Sequence, residues 1–260
     1  MTHETDHPLL FEVEGPIAKI TLNRPKQRNA VNVVLGDAMR DAITRFEAAP
    51  DLQVAILCGN GPVFSAGMDL QAVADGHAEN IVFGEGGFGG LVGAKRTKPI
   101  IAAVHGAALA GGFELMLSCD LVIAAQDTLF GLPEPKIGLI AGGGGAIRLA
   151  RQLPKVIANE MLLTGEPVTT ETALKHGLVN DVVHLDSLWD RALELAKRIA
   201  CNAPLSTSAS LALSHSSQHV SEDALWAESD AALRSLMQTS DAIEGAQAFI
   251  EKRQPKWRGV

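Results

Sequence analysis

Positive charge is scarce in this chain. Its 260 residues include 22 Lys and Arg against 30 Asp and Glu, which gives a formal net charge of −8. An acidic chain without a basic run has no broad electrostatic footprint for nucleic acid or for an anionic membrane. The composition therefore excludes both as partners, although a local cluster of Lys and Arg can still hold a small anionic ligand.

Long apolar segments and closely spaced cysteines are also missing. Gly, His or Glu interrupts the longest apolar stretches, which argues against a transmembrane helix. Residues 1–8 are polar and have no basic region followed by an apolar one, so they do not resemble a secretory signal. Cys58, Cys119 and Cys201 are far apart and lie in apolar surroundings, which indicates buried, reduced thiols in a cytoplasmic protein.

What is present indicates one large globular core. Apolar residues make up 47% of the chain and charged residues 20%, which is ordinary for a soluble globular protein. Alternating strand and helix patterns predict an α/β core over residues 1–185. Beyond that point every segment has helical spacing, so residues 186–260 are predicted to form a C-terminal helical region. The glycine-rich segment from Gln71 to Lys98 has no clear pattern and is predicted to be mobile, with a poor short helix.

The stretch from Pro99 to Ala125 is the most informative, because Glu114 and Asp120 are its only acidic or basic residues. Asp120 lies at a helix-to-strand junction, where a carboxylate is easily satisfied. Glu114 lies in a predicted helix, Ala110–Ser118, that is apolar on nearly every face. Burying an unpaired carboxylate costs several kcal/mol, roughly, whereas the helix dipole stabilises it by only about 0.3–1 kcal/mol. The residues therefore favour a functional role for Glu114.

Three other features indicate a functional site less specifically than Glu114 does. The glycines Gly111 and Gly112 precede Glu114, and free N–H groups at a helix start can stabilise an oxyanion. The segment Phe64–Leu70 follows a predicted buried strand, and its residues alone favour an ordinary strand-to-helix turn capped by Asp69. Glu134 stands between two prolines that fix its backbone, yet the residues alone favour a solvated loop glutamate.

Two motifs are misleading. The segment Gly84–Gly89 fits the G-x-G-x-x-G pattern, but no convincing βαβ unit surrounds it, and Glu85 would repel a pyrophosphate. His215 and His219 have i, i+4 spacing without an intervening Glu, which indicates surface histidines rather than metal ligands. Neither a dinucleotide site nor a metal site is predicted.

Taken in order, these segments resemble the crotonase superfamily, and within it the enoyl-CoA hydratases. The resemblance extends over almost the whole chain and is more specific for the superfamily than for the reaction. It is carried by Asn23–Lys26 with Asn29 and Ala30, Phe64–Leu70, Gly106–Leu115, Cys119 and Asp120, Phe130–Glu134, Gly138, Gly142–Gly145 with Arg148 and Leu149, Leu163–Gly165, Gly177–Val179 and Phe249–Arg253.

The resemblance implies both a fold and a reaction. The fold is an α/β, crotonase-like spiral of ββα turns with a C-terminal helical trimerisation region. The N–H groups of Met68 and Gly111 form an oxyanion hole for the thioester oxygen, where enolate charge develops. Glu114 activates a water for attack at Cβ, and Glu134 delivers a proton to Cα.

The resemblance also implies where coenzyme A binds. Pro62 occupies the place of a Lys that often meets the CoA phosphates, which leaves Lys26 and Arg28 as candidates for that contact. Ala141 replaces the usual Pro before the glycine run, so this loop is expected to be looser. The other residues that the resemblance assigns to substrate or CoA binding are Ala30, Ala66, Asp69, Leu70 and Gly142.

The sequence therefore predicts an enoyl-CoA hydratase of fatty acid or lipid metabolism, a hydro-lyase that converts a trans-2-enoyl-CoA to a 3-hydroxyacyl-CoA. The alternatives are an enoyl-CoA isomerase or a specialised acyl-CoA hydratase of the same family, and a non-catalytic acyl-CoA-binding protein. A binding role has no use for two converging buried carboxylates. No metal or redox cofactor is expected, because coenzyme A is part of the substrate. The expected assembly is a trimer, or a hexamer made of two trimers.

Overall fold

The computed structural model describes residues 7–260, so most of the N-terminal segment considered for a secretory signal lies outside the described residues. The strands are β1 (Leu9–Glu14), β2 (Ile17–Leu22), β3 (Val54–Gly59), β4 (Ile100–Val104), β5 (Ala107–Leu109), β6 (Leu121–Ala125), β7 (Leu129–Gly131), β8 (Val168–Thr169) and β9 (Asp181–Val183). The α-helices are α1 (Val33–Ala48), α2 (Leu70–Ala74), α3 (Ala78–Val82), α4 (Gly111–Leu117), α5 (Gly145–Gln152), α6 (Lys155–Thr164), α7 (Thr170–Lys175), α8 (Leu188–Ala200), α9 (Pro204–Ser216), α10 (Glu222–Leu236) and α11 (Ser240–Glu251).

The larger sheet has the strand order β1-β2-β3-β4-β6-β9. The hairpin of β1 and β2 is antiparallel, and the other strand pairs are parallel. The apolar runs of its central strands are continuous because both faces are covered. In β3, Ala55 and Leu57 face the main core, whereas Val54 and Ile56 face the layer that contains α8.

A smaller sheet, β5-β7-β8, lies at the position of the candidate site. Isolated bridges extend it, because Ser65 pairs with Ala108 and Val31 pairs with Met68. This ladder aligns backbone segments that are far apart in the sequence. It places the loop that follows β3 against the strand that leads into α4.

The glycine-rich segment is packed into the fold rather than detached from it. It forms α2, α3 and a 3₁₀ helix over Phe88–Gly90, and Ile81, Phe88 and Leu91 are buried. A Cβ atom on Gly90 would collide with the carbonyl oxygen of Gly36 in α1. The sequence did not reveal this packing, because backbone-to-backbone contacts of this kind leave no hydrophobic periodicity. The mobility of the segment stays a prediction.

The C-terminal helices differ in what they cover. Helix α8 packs Leu188, Ala192 and Ala196 against the outer face of the larger sheet. Helices α9 and α10 contain no buried residue. The division of the chain near residue 185 stays a prediction. No helix within residues 7–260 is both long enough and apolar enough to cross a membrane.

The cysteines are free, as predicted, but their burial differs from the prediction. Cys119 is buried, Cys58 is half-buried, and Cys201 is exposed just after α8. Apolar neighbours in sequence therefore indicate burial only where the local element faces the core.

Candidate active site

Glu114 is held inside the molecule by the helix that carries it. All seven residues of α4 are buried, and Glu114 is 3% exposed. Its Oε1 accepts a hydrogen bond from the N–H of Gly145, at a distance of 2.8 Å. Since Gly145 is the first residue of α5, the carboxylate lies at the positive end of that helix. The structure confirms the predicted burial of this carboxylate.

The glycine run before α5 is shaped around this carboxylate. A Cβ atom added to Gly143 would lie 2.5 Å from the Glu114 Oε2, and one added to Gly145 would lie 2.9 Å from its Oε1. A larger residue at either position would displace the carboxylate. The glycines therefore let the backbone approach the Glu114 carboxylate closely. The spacing of the residues alone did not reveal this role.

Glu134 is buried as well, contrary to the solvated loop position that the residues alone favour. It follows β7 and begins a 3₁₀ helix over Glu134–Ile137, with Pro133 before it and Pro135 after it. It is 8% exposed, and its buried Oε2 has no hydrogen-bond partner within residues 7–260. Buried polar atoms are usually satisfied, so an unpaired carboxyl oxygen indicates a place for a ligand group.

Burial raises the pKa of both carboxyl groups. It raises the pKa of Glu114 from 4.5 to about 7, and the negative charge of Glu134 adds to this increase, although the N–H groups of Gly145 and Gly143 oppose it. Burial also raises the pKa of Glu134. A carboxyl group with a pKa near neutral pH, together with a second carboxyl group whose pKa is also raised, suits general acid–base catalysis.

Two N–H groups beside these carboxyl groups are available to a ligand. Within residues 7–260, neither the N–H of Met68 nor that of Gly111 has a hydrogen-bond acceptor. Their segments are in direct contact, because a Cβ atom on Gly67 would lie 2.9 Å from the nitrogen of Gly111. The N–H of Gly111 is also at the start of α4, where the helix has no acceptor for it. Two N–H donors without an acceptor are the kind of group that stabilises an oxyanion.

Ala110, which immediately precedes α4, has an unusual backbone conformation. Its φ is 49° and its ψ is −129°, values that only glycine adopts readily. The N–H of Ala110 donates to the carbonyl oxygen of Gly131 over 2.9 Å, which holds it in place. Strain of this kind persists where surrounding structure fixes it, and here it sets the direction of the adjoining Gly111 N–H.

The structure places the residues predicted to bind CoA in two groups. Lys26 and Arg28 are exposed, in and just after a 3₁₀ helix over Pro25–Gln27. The Arg28 carbonyl accepts the N–H of Ala66 at 2.9 Å, so residues 28–31 run alongside residues 66–69. Residues 28–31 and 66–69 together form a two-stranded ribbon. Ala30, Ala66 and Asp69 are half-buried on this ribbon, and Leu70 is exposed next to it. Gly142 lies elsewhere, in the loop that leads to α5.

The predicted cap role of Asp69 is confirmed, and a partner that sequence reasoning missed accompanies it. The Asp69 carboxylate accepts the N–H groups of Gln71 and Ala72 at the start of α2. It also pairs with Arg24, at 2.9 Å. Behind them, the fully buried side chain of Asn29 donates to three carbonyl groups of residues 60–64. Both missed residues lie within the motif that carries the family resemblance.

Arg148 was also missed as a functional residue. Its guanidinium group donates to the carbonyl oxygen of Gly143, at 3.3 Å, and to that of Val92. It thereby ties the glycine run that surrounds Glu114 to the glycine-rich segment, and its positive charge lowers the pKa of Glu114. The sequence signal was an arginine one turn into a helix that follows four consecutive glycines.

Comparison with known proteins identifies the relatives of this chain. The model of the enoyl-CoA hydratase/isomerase family matches residues 12–260. The chain is 44% identical to carnitinyl-CoA dehydratase of Citrobacter koseri over 257 residues, which covers 96% of this chain and 98% of that one. It is 43% identical to carnitinyl-CoA dehydratase of Salmonella agona, over 94% of this chain and 96% of that one.

Solved structures of related enzymes superpose on this chain. An enoyl-CoA hydratase from Mycobacterium tuberculosis superposes with a TM-score of 0.94 at 43% identity, over 98% of this chain and all of that one. A carnitinyl-CoA hydratase from Mycobacterium avium superposes with a TM-score of 0.77, also at 43% identity and with the same coverage. The backbone and the order of the motifs are therefore shared with both kinds of enzyme.

Proposed function

Since the chain belongs to the enoyl-CoA hydratase/isomerase family of the crotonase superfamily, we propose that it adds water reversibly to a trans-2-enoyl-CoA to give a 3-hydroxyacyl-CoA. The names of its relatives support a lyase-type enzyme acting on a CoA thioester. The observation that carries the finer assignment is the pair of buried carboxyl groups, Glu114 and Glu134, near two N–H groups without an acceptor among residues 7–260.

The thioester oxygen binds to the N–H groups of Met68 and Gly111. When a nucleophile attacks Cβ, the electrons of the double bond move towards the thioester and charge develops on this oxygen. Donors that are already oriented stabilise that charge without reorganisation, and removing one such donor typically costs about 10²–10³-fold in kcat.

Ionised Glu114 activates the water. It accepts a proton from the water as the water oxygen bonds to Cβ, and the N–H of Gly145 keeps the carboxylate oriented. The raised pKa makes this carboxylate a stronger base than an exposed glutamate. In the reverse reaction, the protonated group returns the proton to the leaving hydroxyl.

Glu134 completes the addition by protonating Cα. Burial raises its pKa, which favours the protonated acid that this step needs. Its Oε2 has no partner within residues 7–260, so it is available to the substrate. The net change is one water added across the double bond, and proton exchange between the two carboxyl groups and solvent restores the starting state.

An assay of the purified protein with trans-2-enoyl-CoA thioesters tests this proposal. Hydration removes the conjugated double bond, and with it the absorbance of the enoyl thioester. We expect loss of absorbance and formation of a 3-hydroxyacyl-CoA, at a rate proportional to enzyme concentration. A shift of the double bond without added water would identify the isomerase alternative. Tight acyl-CoA binding without turnover would identify a binding protein.

Dehydration of carnitinyl-CoA is the second candidate. The similarity to carnitinyl-CoA dehydratases at 43–44% identity over nearly the whole chain favours it. The chemistry is the same elimination of water, and the substrate differs by a quaternary ammonium group beyond Cβ. Relative kcat/KM for carnitinyl-CoA and 3-hydroxybutanoyl-CoA in the dehydration direction distinguishes the two candidates.

The phosphates of coenzyme A are proposed to contact Lys26 and Arg28. Both side chains are exposed on the ribbon that continues to Met68, so a ligand whose thioester lies at Met68 can extend towards them. Ala30, Ala66, Asp69 and Leu70 border the same path. Gly142 would contact the acyl side, because its loop adjoins Glu114.

The assembly is proposed to be a trimer, or two trimers in a hexamer, in the cytoplasm. Large apolar side chains of the C-terminal helices are exposed, including Trp226, Leu233, Met237 and Phe249 at 62%, 58%, 68% and 86%. Exposed apolar surface of this extent usually marks an interface, and cyclic symmetry would bury it in every subunit.

A further inference from the structure

Arg148 lies against the glycine run that precedes α5. It is half-buried and stands one turn into the helix, and its guanidinium group donates to the carbonyl oxygen of Gly143 over 3.3 Å. A Cβ atom on Gly144 would overlap this guanidinium group. The backbone N–H of Arg148 donates to the carbonyl oxygen of Gly144 at 2.8 Å. The side chain therefore folds back along the run and fixes residues 143 and 144 relative to the helix.

The same run also holds the Glu114 carboxylate. The N–H of Gly145 donates to the Oε1 of Glu114 at 2.8 Å. A Cβ atom on Gly143 would lie 2.5 Å from its Oε2. Gly143 is therefore close to the carboxylate and bonded to Arg148. A shift of the run would move the N–H donor of Gly145 and change the direction of the carboxylate.

The second contact of Arg148 comes from a distant part of the chain. Its guanidinium group also donates to the carbonyl oxygen of Val92, a buried residue of the glycine-rich segment. A planar guanidinium group presents several N–H donors in a fixed fork, whereas lysine presents a single ammonium group on a flexible stem. Arginine is therefore suited to hold two carbonyl groups from separate segments in one arrangement.

The charge of Arg148 acts on Glu114 as well. None of the ion pairs formed within residues 7–260 includes Arg148. Burial raises the pKa of Glu114 to about 7, and the positive charge of Arg148 opposes this increase. The coupling is reciprocal, since burial lowers the pKa of Arg148 and the charge of Glu114 opposes that decrease. Arg148 thus favours the ionised carboxylate, which is the form that accepts a proton.

We propose that Arg148 is a positioning residue for the hydration reaction, which holds the Glu114 carboxylate in the direction needed to accept a proton from the attacking water. This inference rests on the proposed function. Arg148 contacts the glycine run, and the run contacts Glu114, so its effect on the reaction is transmitted through the base. Its loss should therefore slow the chemical step more than it weakens binding of the acyl-CoA.

Kinetics of Arg148→Gln between pH 5 and pH 9 test this inference with trans-2-butenoyl-CoA. We expect kcat to fall at least about tenfold while KM changes less than about twofold, because a small displacement of a catalytic group slows the chemical step. The acid limb of kcat/KM should move to higher pH by at least about 0.5 pH unit, since Glu114 loses a neighbouring positive charge. Arg151→Gln is the matched control, because it removes the same charge from an exposed position on α5; its kcat and acid limb should equal those of wild type.

Arg148→Lys separates the charge from the two hydrogen bonds. Lysine keeps the positive charge but lacks the fork that joins both carbonyl groups. We expect the acid limb to return at least halfway to its wild-type position, while kcat stays at least about threefold below wild type because the run is less firmly held. If Arg148→Gln does not fold, this variant provides the test, and a wild-type kcat there would overturn the inference.

Titration of the Glu114 carboxyl group by NMR distinguishes this inference from the proposed function. The protein is labelled with ¹³C at its glutamate carboxyl groups, and Glu114→Gln identifies the signal. A titration that moves to higher pH in Arg148→Gln, and not in Arg151→Gln, supports the inference even if no enoyl-CoA is hydrated. A folded Arg148→Gln protein with wild-type kcat would overturn it. A lower kcat with an unchanged acid limb and an unchanged titration would show a structural role only, and would also overturn it.

Discussion

Helix α4 differs from helices α9 and α10 in how far its residues are buried. Every residue of α4 is buried, including Glu114, whereas α9 and α10 contain no buried residue although they carry leucines and a tryptophan. A helix that is hydrophobic on all sides belongs in a core, so a carboxylate within it needs a function. Apolar residues on an exposed helix need a cover, which points to another subunit. The first helix therefore carries the proposed catalytic base, and the others carry the proposed subunit interface.

The largest expected effect concerns the carboxyl groups of the buried region. Glu114→Gln and Glu134→Gln should each lower kcat by about 10²–10⁴-fold with little change in CoA binding, because each removes one proton-transfer group. The double variant should lose less than the product of the two single losses, since the pair acts on one water. Steady-state kinetics with an enoyl-CoA measures this. Glu160→Gln, on the exposed face of α6, is the control. Near-normal turnover in either single variant would contradict the assignment.

The exposed helices provide the next test. Leu233→Asp combined with Met237→Asp places two charges about one turn apart at the C-terminal end of α10, where these residues are 58% and 68% exposed. We expect the assembly to dissociate at micromolar concentration, because buried charges at an interface are costly. Sedimentation velocity measures the effect. Val156→Asp, on α6 and 74% exposed, is a matched control and should not alter assembly. A wild-type protein that sediments as a monomer would overturn the interpretation of these helices.

The pH dependence of stability tests the burial of Glu114 in α4. The pKa of Glu114 rises from 4.5 to about 7 on folding. Its cost to stability is absent below pH 4.5, grows as the pH rises and is complete above pH 7, where it amounts to about 3 kcal/mol. Glu114→Gln removes the charge, so it should stabilise the protein by up to about 3 kcal/mol at pH 8 and have little effect at pH 4.5. Denaturant unfolding at the two pH values measures this, and equal effects at both would show that Glu114 titrates normally.

The smallest effect is expected for exposed charges outside both sets of helices. Lys26→Ala combined with Arg28→Ala should raise KM by about tenfold without changing kcat, because exposed ion pairs contribute about 0.2–1 kcal/mol each. The increase should shrink at high salt. Lys155→Ala with Lys175→Ala removes the same charge at a distance from the ribbon and serves as the control. An unchanged KM in the test variant would place the phosphate site elsewhere.

Part of this site was predictable from the sequence. Glu114 stood out because an apolar run surrounds it, and Asp120 was correctly interpreted as satisfied, since it accepts the N–H of Ile100 and pairs with Arg96, both at 2.8 Å. The cap role of Asp69 followed from its place before α2. In each case local chain order determines the environment of the side chain.

The rest depends on contacts between distant segments. Glu134 is buried by tertiary packing, which the residues beside it do not reveal, and only the family resemblance pointed to the role proposed for it. The packing of Phe88 against Gly111 joins segments that are remote in sequence. The glycine-rich segment makes its contacts through the backbone, so it lacks the periodic side-chain pattern that predicts a buried element. Backbone contacts through glycine are the least visible feature of a sequence.

We propose that this site joins water to an enoyl thioester through Glu114 and Glu134. Incubation of trans-2-butenoyl-CoA with the enzyme in ¹⁸O-labelled water, followed by mass spectrometry of the product, tests it most directly. We expect wild type to form a 3-hydroxybutanoyl-CoA that carries one ¹⁸O, and Glu114→Gln to form much less of it. A product without ¹⁸O would show that no water is added, and equal labelling by the Gln variant would show that Glu114 does not activate the water.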